Sequence, residues 1–121
     1  MVRTIMTVDD SASVRMMVSF ALRDMGFELI EAASGDEALR KIEKKPIDML
    51  ITDINMPGLD GIGLVRKVRE KPSCRFIPII VLSTEAREQK KQEGKKAGAT
   101  EWLVKPFTLD QLVAVVKRAL R

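Results

Sequence analysis

Apolar positions in this chain fall into two alternating kinds of run. Short stretches of strand length occur at Thr4 to Val8, Glu28 to Ala32, Met49 to Thr52, Ile77 to Leu82 and Thr100 to Val104. Near-continuous hydrophobicity of this kind suits strands buried on both faces of a parallel sheet. Each stretch is followed by a segment with helical periodicity, so the pattern predicts β then α, five times over, with no internal sequence repeat.

The helical segments differ in how firmly they can dock. Val14, Met17, Val18, Ala21, Leu22 and Met25 recur at helical spacing, and Gly26 follows as a C-terminal cap would. Ser34 with Glu37 and Thr108 with Gln111 have the spacing of capping boxes, which predicts helix starts there. A third helix is expected from about Gly61 to Arg69, burying Leu64, Val65 and Val68, and a last one burying Leu109, Leu112, Val113, Val116 and Leu120. Between them, residues 86–97 offer only Ala and Gly as inward positions, so this fourth helix buries little apolar area and is expected to be mobile.

At 121 residues this is the size of one domain. The 45% hydrophobic and 31% charged fractions are those of an ordinary globular chain, and no apolar run reaches membrane-spanning length. Met1 leads almost at once into the first strand, so no targeting peptide and a cytoplasmic location are expected. The last helix closes the sequence, so one domain over residues 1–121 without an output domain is expected. Lys plus Arg number 21 against 17 Asp plus Glu, a net charge of +4, which is mild for a nucleic-acid binder. No surplus apolar stripe calls for a partner copy, and a monomer is expected. The single Cys74 excludes an internal disulfide and, in its Lys-Pro-Ser-Cys-Arg loop, reads as incidental. The absence of histidine removes His-based zinc sites and histidine general bases together.

Chemistry must therefore run on carboxylates, hydroxyls and lysine. Asp9 and Asp10 directly follow the first predicted strand and Asp53 the third. The carboxyl ends of parallel strands line the ligand crevice of an open sheet, so these acids should converge. Crowded like charges need a cation. Lys105, between Val104 and Pro106 after the fifth strand, supplies one positive charge and leaves the cluster short of neutrality. A divalent oxygen-seeking metal would close that gap. Singly each acid could be only a cap or turn former, with Asp10 capping the first helix. Together with a hydroxyl after the fourth strand they form an ordered set at four sheet ends.

That set, Val8-Asp9-Asp10-Ser11, Thr52-Asp53-Ile54-Asn55-Met56-Pro57-Gly58-Leu59-Asp60-Gly61, Leu82-Ser83-Thr84 and Val104-Lys105-Pro106-Phe107, resembles a response-regulator receiver domain along the whole chain. Within that family the chain is similar to stand-alone chemotaxis regulators of the CheY type. The resemblance implies an α/β fold, (βα)5, a doubly wound five-stranded parallel sheet of flavodoxin-like order 2-1-3-4-5 with helices on both faces.

It also implies roles for individual residues. Asp53 would be the phosphoacceptor. Asp10, Asp53 and the backbone carbonyl of Asn55 would bind Mg²⁺ directly, and Asp9 through a water. Lys105 would face the phosphoryl oxygens, with its bond to Pro106 cis. Ser83, favoured over Thr84 by its spacing to Lys105, would be the switch hydroxyl. Trp102 would be the switch aromatic, where the family more often has tyrosine or phenylalanine, and Phe107 reads as core. Asn55 and Glu85 would tune the lifetime of the aspartyl phosphate and keep it short.

The implied partners are a CheA-like histidine kinase as phosphodonor and a target such as a flagellar motor switch component, with no membrane and no direct nucleic-acid contact. Lys90, Lys91, Lys95, Lys96, Lys117 and Arg118 make the side of the last two helices basic, which suits an acidic partner segment. A receiver in a phosphorelay or another regulatory pathway is the near alternative. An aspartate-nucleophile phosphatase is the distant one, since it would want a second acid where this chain has Asn55.

Overall fold

The computed structural model describes Val2–Leu120. Five parallel strands form one sheet in the order β2-β1-β3-β4-β5, with β1 at Thr4–Val8, β2 at Glu28–Ala32, β3 at Met49–Asp53, β4 at Ile79–Ser83 and β5 at Glu101–Val104. The helices are α1 (Ala12–Asp24), α2 (Gly35–Lys44), α3 (Gly61–Arg69), α4 (Glu88–Ala97) and α5 (Leu109–Ala119), with a single 3₁₀ turn at Pro72–Cys74. This is the expected fold, and the strand order reverses direction between β1 and β3.

The three central strands are buried at every position, which is why their sequences read as unbroken apolar runs. Alternate residues feed two separate cores. Met6, Val8, Leu50, Ile79 and Val81 face α2, α3 and α4, where they meet Ala38, Ile42, Leu64, Val65, Val68 and Ala97. Ile5, Met49, Ile51, Ile80 and Leu82 face α1 and α5, where they meet Val18, Leu22, Leu112, Val115 and Val116. A shift of any strand by one residue would exchange these sets, so the pairing register is held from both sides.

Capping follows the sequence with two refinements. Thr108 and Gln111 form a complete reciprocal box, whereas Glu37 reaches back one residue further, accepting the Ala33 amide at 2.7 Å while Ser34 Oγ accepts Glu37 N at 3.1 Å. At α1 the cap is Ser11, whose Oγ accepts the Val14 amide, so Asp10 is not spent on capping.

Several packing expectations need correction. Met17 lies on the exposed side of α1, next to Met16 and Phe20, and Leu109 on the exposed side of α5, while Val115 takes an inward place. Both helices turn less of their apolar surface inward than periodicity alone suggests. Val104 is only half-buried because β5 is an edge strand. Cys74 is buried in the first core and is a packing residue. The fourth strand starts at Ile79, two residues later than expected, and α4 starts at Glu88. As anticipated, α4 buries only Gly94 and Ala97.

Candidate functional site

The sheet delivers three carboxylates to one end. Asp53 is the last residue of β3, and Asp9 and Asp10 follow the neighbouring β1, so all three emerge at adjacent strand ends. One carboxylate oxygen from each lies within 4.8 Å of the others. Asp9 and Asp53 are buried, at 1% and 6% exposure, while Asp10 opens to solvent. Lys105, one residue past β5, reaches across with Nζ 3.1 Å from Asp9 Oδ2 and 3.3 Å from Asp53 Oδ1. Its peptide bond to Pro106 is cis.

Local backbone contacts explain why these residues meet. The Lys105 amide donates to Ser83 O at 2.7 Å, which continues the β4 to β5 ladder and brings the lysine to the sheet end. Gly61, the first residue of α3, sits so close to β3 that a Cβ would lie 2.3 Å from Asp53 O. Its amide donates to Ile54 O at 2.9 Å, folding the loop 54–60 back on the strand. Only glycine fits this approach. Gly58, at φ +75°, makes the turn within that loop.

Electrostatics follow from the burial. Desolvation and the neighbouring Asp9 charge raise the Asp53 pKa above its ordinary value of 3.8, against the opposing pull of Lys105. For Lys105, burial pulls the pKa down, but hydrogen bonding to Asp9 and attraction to both acids outweigh it, and the net shift is upward. Three ionised acids against one ammonium leave two negative charges uncompensated. Asp10 has no hydrogen bond or ion pair to its carboxylate among the described residues, so its oxygens are available. An all-oxygen set with this residual charge fits a hard divalent cation such as Mg²⁺.

The other expected residues divide into neighbours and bystanders. Ser83 ends β4, is fully buried, and its Oγ accepts the Glu85 amide at 2.9 Å. Thr84 is exposed. Trp102 is half-buried against the first core, and its indole N–H donates to Glu85 O at 3.0 Å. The Glu85 backbone thus links Ser83 and Trp102 directly. The Glu85 carboxylate turns away to Arg87, with Oε1 2.6 Å from Nε, and that hydrogen bond lowers its pKa. Asn55 is exposed beside Asp53. Phe107 packs half-buried against the second core.

Sequence reasoning missed Arg15. From the first turn of α1 its Nη1 donates to Asp9 O at 2.5 Å, and its Nε lies 3.4 Å from Glu31 Oε1. No periodic signal reports a side chain that binds a backbone carbonyl across a turn.

Comparison with known proteins agrees with this geometry. The chain is 35% identical over 121 residues to the phosphate regulon transcriptional regulatory protein PhoB of Rhizobium meliloti, covering all of this chain and 53% of that protein. It spans about half the length of the curated relatives it matches. Among solved structures, the chemotaxis response regulator CheY4 of Vibrio cholerae superposes with a TM-score of 0.95 at 45% identity, covering 98% of this chain and 99% of that one. The receiver domain of the sensor histidine kinase PA1611 from Pseudomonas aeruginosa, solved with a magnesium ion in its active-site cleft, superposes at 0.88 with 28% identity, covering 99% and 98%. With residues 5–117 matching the family model for the response regulator receiver domain, the chain belongs to that family and is the receiver unit of a two-component system, a class that takes phosphate from histidine kinases.

Proposed function

We propose that Asp53 accepts a phosphoryl group from a CheA-like histidine kinase and that the chain relays this state to a target in chemotaxis. The observation that carries the reading is the pairing of Lys105 with both Asp9 and Asp53 while, among the described residues, the Asp10 carboxylate stays unpartnered at their side. An Asp53 oxygen attacks the phosphorus of the donor's phosphohistidine, the P–N bond breaks, and the imidazole leaves. Lys105 would exchange its carboxylate contacts for the incoming phosphoryl oxygens, stabilising the charge that spreads over them. Asp10, Asp53 and the Asn55 carbonyl would hold Mg²⁺, with Asp9 reaching it through a water. When bound, the ion supplies the remaining positive charge that this anionic site needs.

Ser83 would read the new group, its hydroxyl leaving the Glu85 amide for a phosphoryl oxygen. Because Glu85 O holds the Trp102 indole, that exchange bears directly on the aromatic. The readout face would be α4, β5 and α5. There Lys90 is paired with Glu93 and Arg118 with Glu101, so Lys91, Lys95, Lys96 and Lys117 carry the charge toward an acidic target such as a flagellar motor switch component. Glu85 would have to leave Arg87 to orient an attacking water, which makes Asn55 the sharper candidate for shortening the phosphate's lifetime. Support for chemotaxis is the match to the chemotaxis protein CheY4 over 98% of this chain and 99% of that one, and the chain would act in the cytoplasm. The PhoB match supports a second reading, a receiver that controls transcription.

Trp102 emission during addition of Mg²⁺ and then acetyl phosphate or beryllofluoride tests the core of the proposal. A phosphate-dependent change that vanishes in Asp53→Ala is expected. An equal response in that variant would refute it. Binding of the phosphorylated chain to a motor switch protein, against release of a transcriptional effect, separates the two readings.

A further inference from the structure

Asp9 has every polar atom engaged. Its amide donates to Ala32 O at 3.1 Å within the sheet, its Oδ1 accepts the Ser11 amide at 2.9 Å, and its Oδ2 meets Lys105. The fourth partner comes from outside the strand ends: Arg15 Nη1 on the Asp9 carbonyl oxygen at 2.5 Å. That carbonyl belongs to the same planar peptide unit as the Asp10 amide, so gripping the oxygen also fixes the orientation of the plane from which Asp10 departs. Among the described residues Asp10 is the one acid of the cluster whose carboxylate has no partner, so its aim rests on its backbone.

Arg15 is itself held. Its Nε faces Glu31 Oε1 at 3.4 Å, and Glu31 is flanked by Arg23 at 3.8 Å and fixed at its own carbonyl by Lys41 at 2.5 Å. The guanidinium fork therefore spans two anchors at once, a carboxylate on β2 and a carbonyl at the acidic turn, a grip that a single ammonium cannot reproduce. With a side chain only 18% exposed, Arg15 is poorly placed to meet a partner.

We infer that Arg15 is a positioning residue for the cation site: through the Asp9–Asp10 peptide it aims the Asp10 carboxylate at the ion. The inference rests on the proposed Mg²⁺ site and deepens it. Its sign is diagnostic. On charge alone, removing a cation beside a metal site should tighten Mg²⁺ binding. Loss of positioning should weaken it, and outer-sphere partners of metal ligands commonly matter by about tenfold or more in affinity.

Isothermal titration of the full chain with Mg²⁺, with Trp102 emission as a second readout, decides the matter. Arg15→Met keeps the apolar stem and is expected to raise the Mg²⁺ dissociation constant about tenfold. Arg15→Lys keeps the charge but not the two-sided grip and is expected to raise it at least about threefold. Thermal unfolding without Mg²⁺ separates positioning from scaffolding. Wild-type or tighter Mg²⁺ affinity in either folded variant, even with a lowered unfolding temperature, overturns the inference, and Arg15→Lys decides alone if Arg15→Met does not fold. Asp10→Asn and wild type run as controls: a wild type that binds no Mg²⁺ sinks the metal site itself, whereas a binding wild type matched by the Arg15 variants sinks only this inference.

Discussion

Gly94→Ala tests how the Trp102 indole is held. An ideal Cβ on Gly94 would lie 2.7 Å from Trp102 Cζ3 and 3.1 Å from Cε3. Carbon atoms in contact prefer about 3.5–4.0 Å, so the ring must retreat by about 1 Å. Its indole N–H bond to Glu85 O is 3.0 Å long, and a retreat of that size takes it beyond hydrogen-bonding range. Losing the bond costs about 0.5–1.5 kcal/mol, and crowding the pocket adds about 1–3 kcal/mol. Against this, alanine is better than glycine inside a helix by about 1 kcal/mol. A net destabilisation of about 0.5–3.5 kcal/mol is expected.

The assay is clean because Trp102 is the single tryptophan. Its emission in Gly94→Ala should shift to the red and its quenching by acrylamide should increase. A double-mutant cycle supplies the sharper test: with Trp102→Leu already in place the clash is gone, and Gly94→Ala should become stabilising by about 1 kcal/mol. An unchanged emission maximum, together with a Gly94→Ala melting temperature raised by roughly 4 °C, would refute the reasoning, since the helix gain would then be unopposed.

Other consequences can be measured on the same footing. The buried Ser19 Oγ on α1 has no hydrogen-bond partner among the described residues, so Ser19→Ala should stabilise the fold by about 1 kcal/mol, and a loss of that size in chemical denaturation would show the hydroxyl to be satisfied. Arg69 donates to Gly98 O at 2.8 Å and Cys74 O at 2.8 Å, joining α3, the end of α4 and the 3₁₀ turn; Arg69→Met should cost about 2–4 kcal/mol in the same assay. Since burial raises the folded-state pKa of Asp53 above 3.8, its ionised form opposes folding. Stability from this group is full below 3.8 and is lost as pH rises through the raised value. Without Mg²⁺, Asp53→Asn should therefore unfold at a higher temperature than wild type at pH 7, with the advantage gone below pH 3.8, and an advantage that grows on acidification would contradict the assignment.

Much of the fold was legible because the central strands are buried on both faces, which leaves few polar interruptions to blur Ile79 to Leu82 or Met49 to Thr52. The acids were legible only as a set: one Asp after such a run could be a cap or turn former, but acids after two runs, with Ser83 and Lys105 after two others, point to converging strand ends. Periodicity failed where a helix has more apolar residues than the sheet can cover, as at Met17 and Leu109. It failed at Arg15 because that contact joins a side chain to a backbone oxygen, and at Gly61 and Gly94 because close approach is a property of two elements together. The spacing from Ser83 to Lys105 that resembles the family has a visible basis in the ladder, where Ser83 faces Val104, the residue before the lysine.

The same contacts show how a site this rigid can still move something. Asp53 ends and Asp9 directly follows strands buried throughout, and the fixed peptide before Asp10 and the tight Gly61 contact leave that end of the sheet little freedom. On the other side of Ser83 the anchoring changes character. No side chain caps α4, which buries only a glycine and an alanine: Ala97 joins the first core, the indole lies on Gly94, and Arg69 bonds Gly98 just past the helix end. Between the two regimes lies one residue, Glu85, with its amide on Ser83 Oγ and its carbonyl on the indole. Each of those bonds is worth only about 1 kcal/mol net, less than a charge-assisted bond donated by the same hydroxyl to a phosphoryl oxygen would return. On the proposed switch, an event at Asp53 that recruits Ser83 would meet its weakest resistance toward Trp102 and α4, and a displacement would run that way.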